Sequence, residues 1–281
     1  MKKVLTLLLV LFPSFAEAGW FWQNNTPTAK GNHFSQSFYE VKKIMPEKIY
    51  YDHRQTLYCN ADFTQFKRIK LPKGFKLPDL RKVDFYVYDI TAEELRQKAE
   101  RMEWEHIVPA QNFGKIFPEW VKGHKNCVST KGKKFKGRKC AEQENESFRY
   151  MYTDMYNLYP SIGAVNYLRA NFNFTQFAAK DEVENTFGSC NLKISKNKVE
   201  PRDEIKGLIA RTYLYMQSAY PRYSIGSPME AVLKAWNKKY PVSRWECVRA
   251  YRIEHLQGNA NKIVKDKCLK KGWYVKGLKN D

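Results

Sequence analysis

The sequence predicts an α+β fold, a helix-rich single domain, from three observations. The last third is helical with clear start and stop signals, the middle holds short extended segments between helix-like runs, and no repeat or low-complexity linker divides the 281 residues.

The chain opens with "MKKVLTLLLVLFPSFAEA". Lys2 and Lys3, an apolar stretch from Val4 to Phe15 and the small-x-small ending Ala16-Glu17-Ala18 form the pattern of an export signal, too short to span a bilayer. Removal of residues 1–18 is expected to leave a secreted or periplasmic protein with no membrane span. Residues 19–45 read as a poorly packed arm running into the first helix, since Phe38, Val41, Ile44 and Met45 recur at helical spacing between Gln36 and about Ile49. "HRQTLYCNADF" reads as a short extended segment ending at a cysteine, and residues 60–84 as a Lys/Pro/Gly-rich loop with at most short strands. "VDFYVYDI" (83–90) alternates as a strand does. Thr91 and Glu94 form a capping box for a helix to about Arg101, and "WEHIV" is extended until Pro109 stops it.

Further on, Ala210, Tyr213, Leu214 and Met216 share one helix. Ser227 as cap, Pro228 at the first helical position and Glu230 open the next, which Pro241 closes. Ser243 with Glu246 opens another, ending at Gly258. Residues 269–281 form a basic tail.

The charge is extreme. Of 49 Lys and Arg and 29 Asp and Glu, the signal holds two lysines and one glutamate, so the exported chain carries 47 − 28 = +19. Self-repulsion of that size contributes nothing to folding and points to an anionic partner: nucleic acid, phospholipid or acidic polysaccharide. The densest part is "KGHKNCVSTKGKKFKGRKC" (122–140), with eight Lys or Arg and no acid. Lys122, Lys125, Lys131, Lys133, Lys134, Lys136 and Lys139 are its candidate phosphate contacts.

All six cysteines lie beyond the signal, an even number for an oxidising compartment. Cys127 with Cys140 and Cys247 with Cys268 are close in sequence; pairing both leaves Cys59 for Cys190. Zinc is the weaker alternative, because the cysteines include no C-x-x-C pair.

A basic exported protein acting on a polyanion can hydrolyse phosphodiesters. That needs a base for water, a cation for the phosphate oxygens and a donor to hold the phosphate. In "MEWEHIVPA" (102–110), Glu105 is a candidate ligand for magnesium and His106, with an ordinary pKa of about 6.5, a candidate base. Trp104, Ile107 and Val108 would anchor them. Neighbours on a strand point to opposite faces, so both can serve one site only where the backbone bends before Pro109. The second oxygen ligand is open among Asp154, Asn157, Asn166, Asn171 and Asn173, with Arg169 on the face of Asn166 if that part is helical. Protease and esterase signatures such as H-E-x-x-H and G-x-S-x-G do not occur. Of the other histidines, His53 in "YYDHRQ" is a candidate supporting group.

The blocks "MEWEHIVPA", "DMYNLYPSIGAVN", "RANFNF", "GLIARTYLYM", "AWNKKYPVSRWEC" and "RI…LQGN" follow one another as in the endonuclease I family, which this chain resembles from about Glu47 to Cys268. The resemblance implies a ββα-metal nuclease motif within a nuclease domain of residues 46–268, with 122–140 as a basic insertion. It implies cleavage of DNA, and often RNA, through backbone phosphates without sequence specificity, with magnesium, or another divalent cation such as manganese or calcium. It makes Glu105 and Asn166 the metal ligands and His106 the general base. Asn157 and Arg169 fall in matching blocks as supporting residues. The family's phosphate-stabilising arginine has two competing positions: "GHKNC" carries His124 there, and "GRKC" carries Arg138. Spacing to "DMYNL" favours Arg138. Tyr167-Leu168 replaces a usual Gly-Asp, and "QGNANKI" replaces a Q-G-N-H-N-P-like block. A monomeric nuclease is expected; the rival is a non-catalytic polyanion-binding protein on the same fold.

Overall fold

The computed structural model describes residues 30–275, so the expected export signal, the start of the arm and the end of the tail lie outside the described residues. Helix α1 (Phe38–Lys48) precedes a two-stranded ribbon of β1 (Asp62–Phe63) and β2 (Ile69–Lys70). Helix α2 (Ala92–Ala99) leads into strand β3 (Met102–His106). Four short helices follow: α3 (Ala110–Gly114), α4 (Pro118–Val121), α5 (Arg138–Glu144) and α6 (Glu146–Tyr152). Strand β4 (Leu158–Ile162) then runs antiparallel to β3, pairing Met102 with Ile162 and His106 with Leu158, and passes directly into α7 (Gly163–Arg169). β5 (Asn173–Phe174), β6 (Leu192–Ser195) and β7 (Lys198–Pro201) make a mixed sheet in the order β5-β7-β6. The scaffold is completed by α8 (Asp203–Ala219), α9 (Ser227–Lys239), α10 (Arg244–Gln257) and α11 (Lys262–Leu269). One apolar cluster runs through α1, β3, β4 and α8, so the chain is a single α+β domain.

Capping side chains start α1, α2, α6, α10 and α11. At α2 the Thr91 hydroxyl accepts from the Glu94 N–H and the Glu94 carboxylate accepts from the Thr91 N–H. At α10 the Ser243 hydroxyl caps Glu246 N–H, but the Glu246 carboxylate turns inward to Arg211 instead of back to the cap. Ser227 is not a cap: Gly226 holds that position, and Ser227 and Pro228 are already helical. A proline fits the first turn because no N–H is needed there.

Three other expectations change. "HRQTLYCNADF" is a tight turn rather than an extended segment. Thr56 N–H donates to the Ala61 carbonyl, and Asn60 sits at φ 50°. Leu57 N–H donates to the Pro160 carbonyl of β4, which brings Tyr58 over β3. "VDFYVYDI" is a loop, since no strand among the described residues pairs with it, although Phe85 still points in and Tyr86 and Tyr88 out. The arm is packed from Asn32 onward: Asn32 is buried and donates to Ser35, Tyr150 and Thr153. At the other end, Tyr274 of the tail is buried and donates to Glu254.

Disulfides join Cys59 to Cys190, Cys127 to Cys140 and Cys247 to Cys268. Inside the helical layer, the Arg211 guanidinium forks onto Glu246 at 2.6 and 2.7 Å and donates to the carbonyls of Tyr240 and Pro241. Gly207 makes the room, because a Cβ there would stand 2.4 Å from the Tyr240 carbonyl oxygen.

Past His106 the chain bends, and two side chains hold the bend. The Asn157 amide donates to the Val108 carbonyl at 3.0 Å and accepts from the Val108 N–H at 2.7 Å. Arg169, at the end of α7, donates to the carbonyls of His106 (3.0 Å) and Ile107 (2.7 Å). Ile107 and Val108 are buried beneath.

Arg211→Met strands a buried carboxylate and is expected to cost about 3–5 kcal/mol, whereas Arg211→Met with Glu246→Leu recovers most of it. Urea unfolding of the oxidised protein measures both; a double variant as unstable as the single one contradicts this account. Asn157→Ala leaves both Val108 backbone groups buried and unsatisfied, and should lower the same unfolding free energy by about 2–4 kcal/mol.

Candidate functional site

β3, β4 and α7 together form a ββα unit, and a cleft of about 270 Å³ opens beside it. Glu105 and His106 both line this cleft although they are neighbours on β3. His106 is the last residue of the strand, and the bend that follows frees it from strict alternation.

Glu105 is buried at 3% exposure, reached by Tyr58 O–H at 2.8 Å and by the Arg169 guanidinium at 3.1 Å. Both contacts fall on Oε1, so Oε2 is drawn into neither. Burial pushes the carboxyl up to about 7, against the opposing pull of Arg169. A further cation at Oε2 would favour the ionised form.

Asn166, on α7, lines the cleft and donates its Nδ2 to Glu103 at 2.8 Å, where Lys98 also binds. That fixes the amide's orientation and leaves Oδ1 as its uncommitted polar atom. Glu105 Oε2 and Asn166 Oδ1 are hard oxygen donors of the kind magnesium takes, with water completing the shell. Among the described residues no group of three or more His, Cys, Asp or Glu side chains is placed to hold a metal ion, at this cleft or anywhere else.

His106 stacks on Tyr152 with ring centroids 4.7 Å apart and planes 9° from parallel, with Phe38 on its flank. Its Nε2 lies 2.8 Å from the Tyr152 carbonyl and must donate to it, which leaves Nδ1 with the free lone pair. Burial, reinforced by Arg138 and Arg169, pushes the imidazole down to about 3 against that hydrogen bond, so the ring is neutral at ordinary pH.

Arg138 is the first residue of α5, after Gly137 at φ 82°. It lines the cleft with its guanidinium 5.7 Å from the Tyr152 ring centre. The competing position, His124, lies outside the cleft and pairs with Glu144 at 3.0 Å. Of the other oxygen candidates, Asn171 lines the cleft and donates to Gln111, and Asn157 holds the bend. Asp154 is buried elsewhere beneath the hydroxyls of Tyr215 and Tyr220, and Asn173 is exposed on β5. His53 stacks on Trp245 at a different cleft.

The lysines stand beside the site. Residues 122–140 form a small hairpin, with Val128 bridged to Lys134 and Phe135 N–H donating to the Cys127 carbonyl. Lys122, Lys125, Lys131, Lys133, Lys134, Lys136 and Lys139 are all exposed. The Cys127–Cys140 disulfide and a bond from Gly137 N–H to the Trp120 carbonyl tether the hairpin next to Arg138.

Sequence reasoning missed Tyr58, Tyr152, Glu103 and Gln111. For Tyr58 the only signal was adjacency to Cys59, whose bridge to Cys190 fixes the turn. Glu103 carries a readable one, since residues two apart on a strand share a face with Glu105.

The chain is similar to known proteins over most of its length. The Endonuclease I family model matches residues 35–268. The chain is 34% identical to the "Endonuclease-1" of Buchnera aphidicola subsp. Baizongia pistaciae, over 85% of this chain and 87% of that protein. It is 33% identical to an "Extracellular deoxyribonuclease" of Aeromonas hydrophila, over 83% of this chain and 90% of that one. With a "Periplasmic deoxyribonuclease" of the same organism it shares 34%, over 83% and 87%. A match over most of the chain, with the ββα unit and its cleft inside the matched span, leads to one conclusion: the chain belongs to the endonuclease I family.

Proposed function

We propose that the protein is an exported, metal-dependent endonuclease that hydrolyses phosphodiester bonds of DNA, and of RNA, without reading sequence, acting as a monomer. The observation that carries this is the convergence of His106, Arg138, Glu105 and Asn166 on one open cleft flanked by exposed lysines.

A water beside His106 gives its proton to Nδ1 as its oxygen attacks phosphorus; the bond from phosphorus to the leaving oxygen breaks. The negative charge that gathers on the phosphate raises the proton affinity of the ring, offsetting the two nearby arginines. Tyr152 holds the ring's orientation through its carbonyl and its stacked face. Arg138 donates to the phosphate and stabilises the leaving oxygen. Glu105 and Asn166 would hold magnesium, manganese or calcium, whose charge stabilises the phosphate oxygens when bound. Arg169 and Tyr58 keep Glu105 in place. The hairpin lysines grip backbone phosphates, which gives affinity without base reading. Export accords with the N-terminal signal pattern and with three disulfides.

His106→Ala is expected to slow nicking of supercoiled plasmid by about a hundredfold or more, and EDTA to stop the wild type. Nicking that survives the substitution places the base elsewhere. Wild type that binds DNA without cutting it, across several metals and salt concentrations, favours the polyanion-binding alternative. Replacing Lys131, Lys133, Lys134 and Lys136 by Ser should flatten the dependence of log Kd on log salt by about 0.9 for each phosphate the hairpin no longer neutralises; an unchanged slope removes the hairpin from the interface.

A further inference from the structure

The stretch "VDFYVYDI" takes no part in the mechanism above, yet it ends at the cleft. Phe85 is buried edge-on to Phe172, and Val83 and Val87 are half-buried. Tyr86 and Tyr88 point outward, 59% and 44% exposed. Three bonds hold the loop in this attitude. Ser195 O–H donates to Asp84 at 2.6 Å, Tyr86 N–H to the Asn197 side chain at 2.7 Å, and Tyr167 O–H to the Asp89 carbonyl at 3.0 Å. The exposed rings stand edge to face, centroids 4.9 Å apart, and Tyr88 lines the same cleft as His106, Arg138 and Asn166.

Two aromatic faces anchored from below and turned to solvent beside the site need a flat, apolar partner. In a chain of formal net charge +20, that partner comes on a polyanion. A heterocyclic base meets both demands, but only when unpaired: inside a duplex its faces are covered by its neighbours. We propose that Tyr88, with Tyr86 behind it, stacks an unpaired base next to the scissile phosphate, so that the enzyme favours single-stranded or locally opened nucleic acid. This specificity rests on the nuclease activity proposed above.

The test compares wild type with Tyr86→Ala/Tyr88→Ala and Tyr86→Phe/Tyr88→Phe. The first readout is the ratio of kcat/KM on a dT oligonucleotide to that on its duplex with dA. The second needs no cleavage: quenching of a fluorescent adenine analogue within a single strand, measured with each pair carried on His106→Ala. The alanine pair should lower the ratio about tenfold and abolish the quench, and the phenylalanine pair should retain both. An alanine pair with ratio and quench intact overturns the proposal, as does a phenylalanine pair that loses them equally. If wild type cuts neither substrate, the nuclease assignment fails, while the quench still decides whether the tyrosines stack a base.

Discussion

The geometry of the candidate cleft hangs on one buried guanidinium. Arg169 neutralises Glu105 and, with the same planar fork, holds the carbonyls of His106 and Ile107. It thereby answers two problems set by the word "EHIV": an acid out of water, and a strand that must turn sharply to present neighbouring side chains to one cavity. A lysine in its place would carry the charge but not the fork. Because Arg169 ends the helix that also carries Asn166, the register of α7 against β3 sets both the bend and the second oxygen donor.

Much of this was legible beforehand. The helix starts at Thr91 and Ser243 and the candidates Glu105, His106 and Asn166 follow from residue chemistry together with family pattern. "WEHIV" reads as extended; the strand covers its first three residues but starts at Met102 and ends at His106, with Ile107 and Val108 in the bend. What was hidden depends on contacts distant in sequence. Tyr58 reaches Glu105 from 47 positions upstream, and no spacing rule announces it. The bend before Pro109 was required by geometry, but one of its two holders, Asn157, looked like one of several equivalent asparagines. "VDFYVYDI" misled for a clear reason: alternation reports which faces are dry and wet, while a strand also needs a neighbour to bond with. Ser227 misled because a serine before a proline resembles a cap whether or not it is already inside the first turn.

Charge is handled differently within and without. Inside, Arg169, Arg211 and Arg249 are buried and held by several acceptors each, Arg249 by the Tyr50 and Tyr159 hydroxyls and two carbonyls of the β4 approach. Outside, the lysines of the 122–140 hairpin are displayed without acidic partners among the described residues. The buried arginines thus clamp elements of the fold to one another, while the hairpin lysines carry their charge at the surface.

The hairpin is stapled at its base, by Cys127–Cys140 and by the bond from Gly137 to Trp120, with its tip beyond the staple. Lengthening such a loop adds only about 0.6 kcal/mol of closure cost per doubling. On the proposed function, grip and chemistry become separable traits: variation in the tip would retune how tightly, and at what ionic strength, the protein holds a polymer, while Glu105, His106 and Asn166 keep their places on β3 and α7.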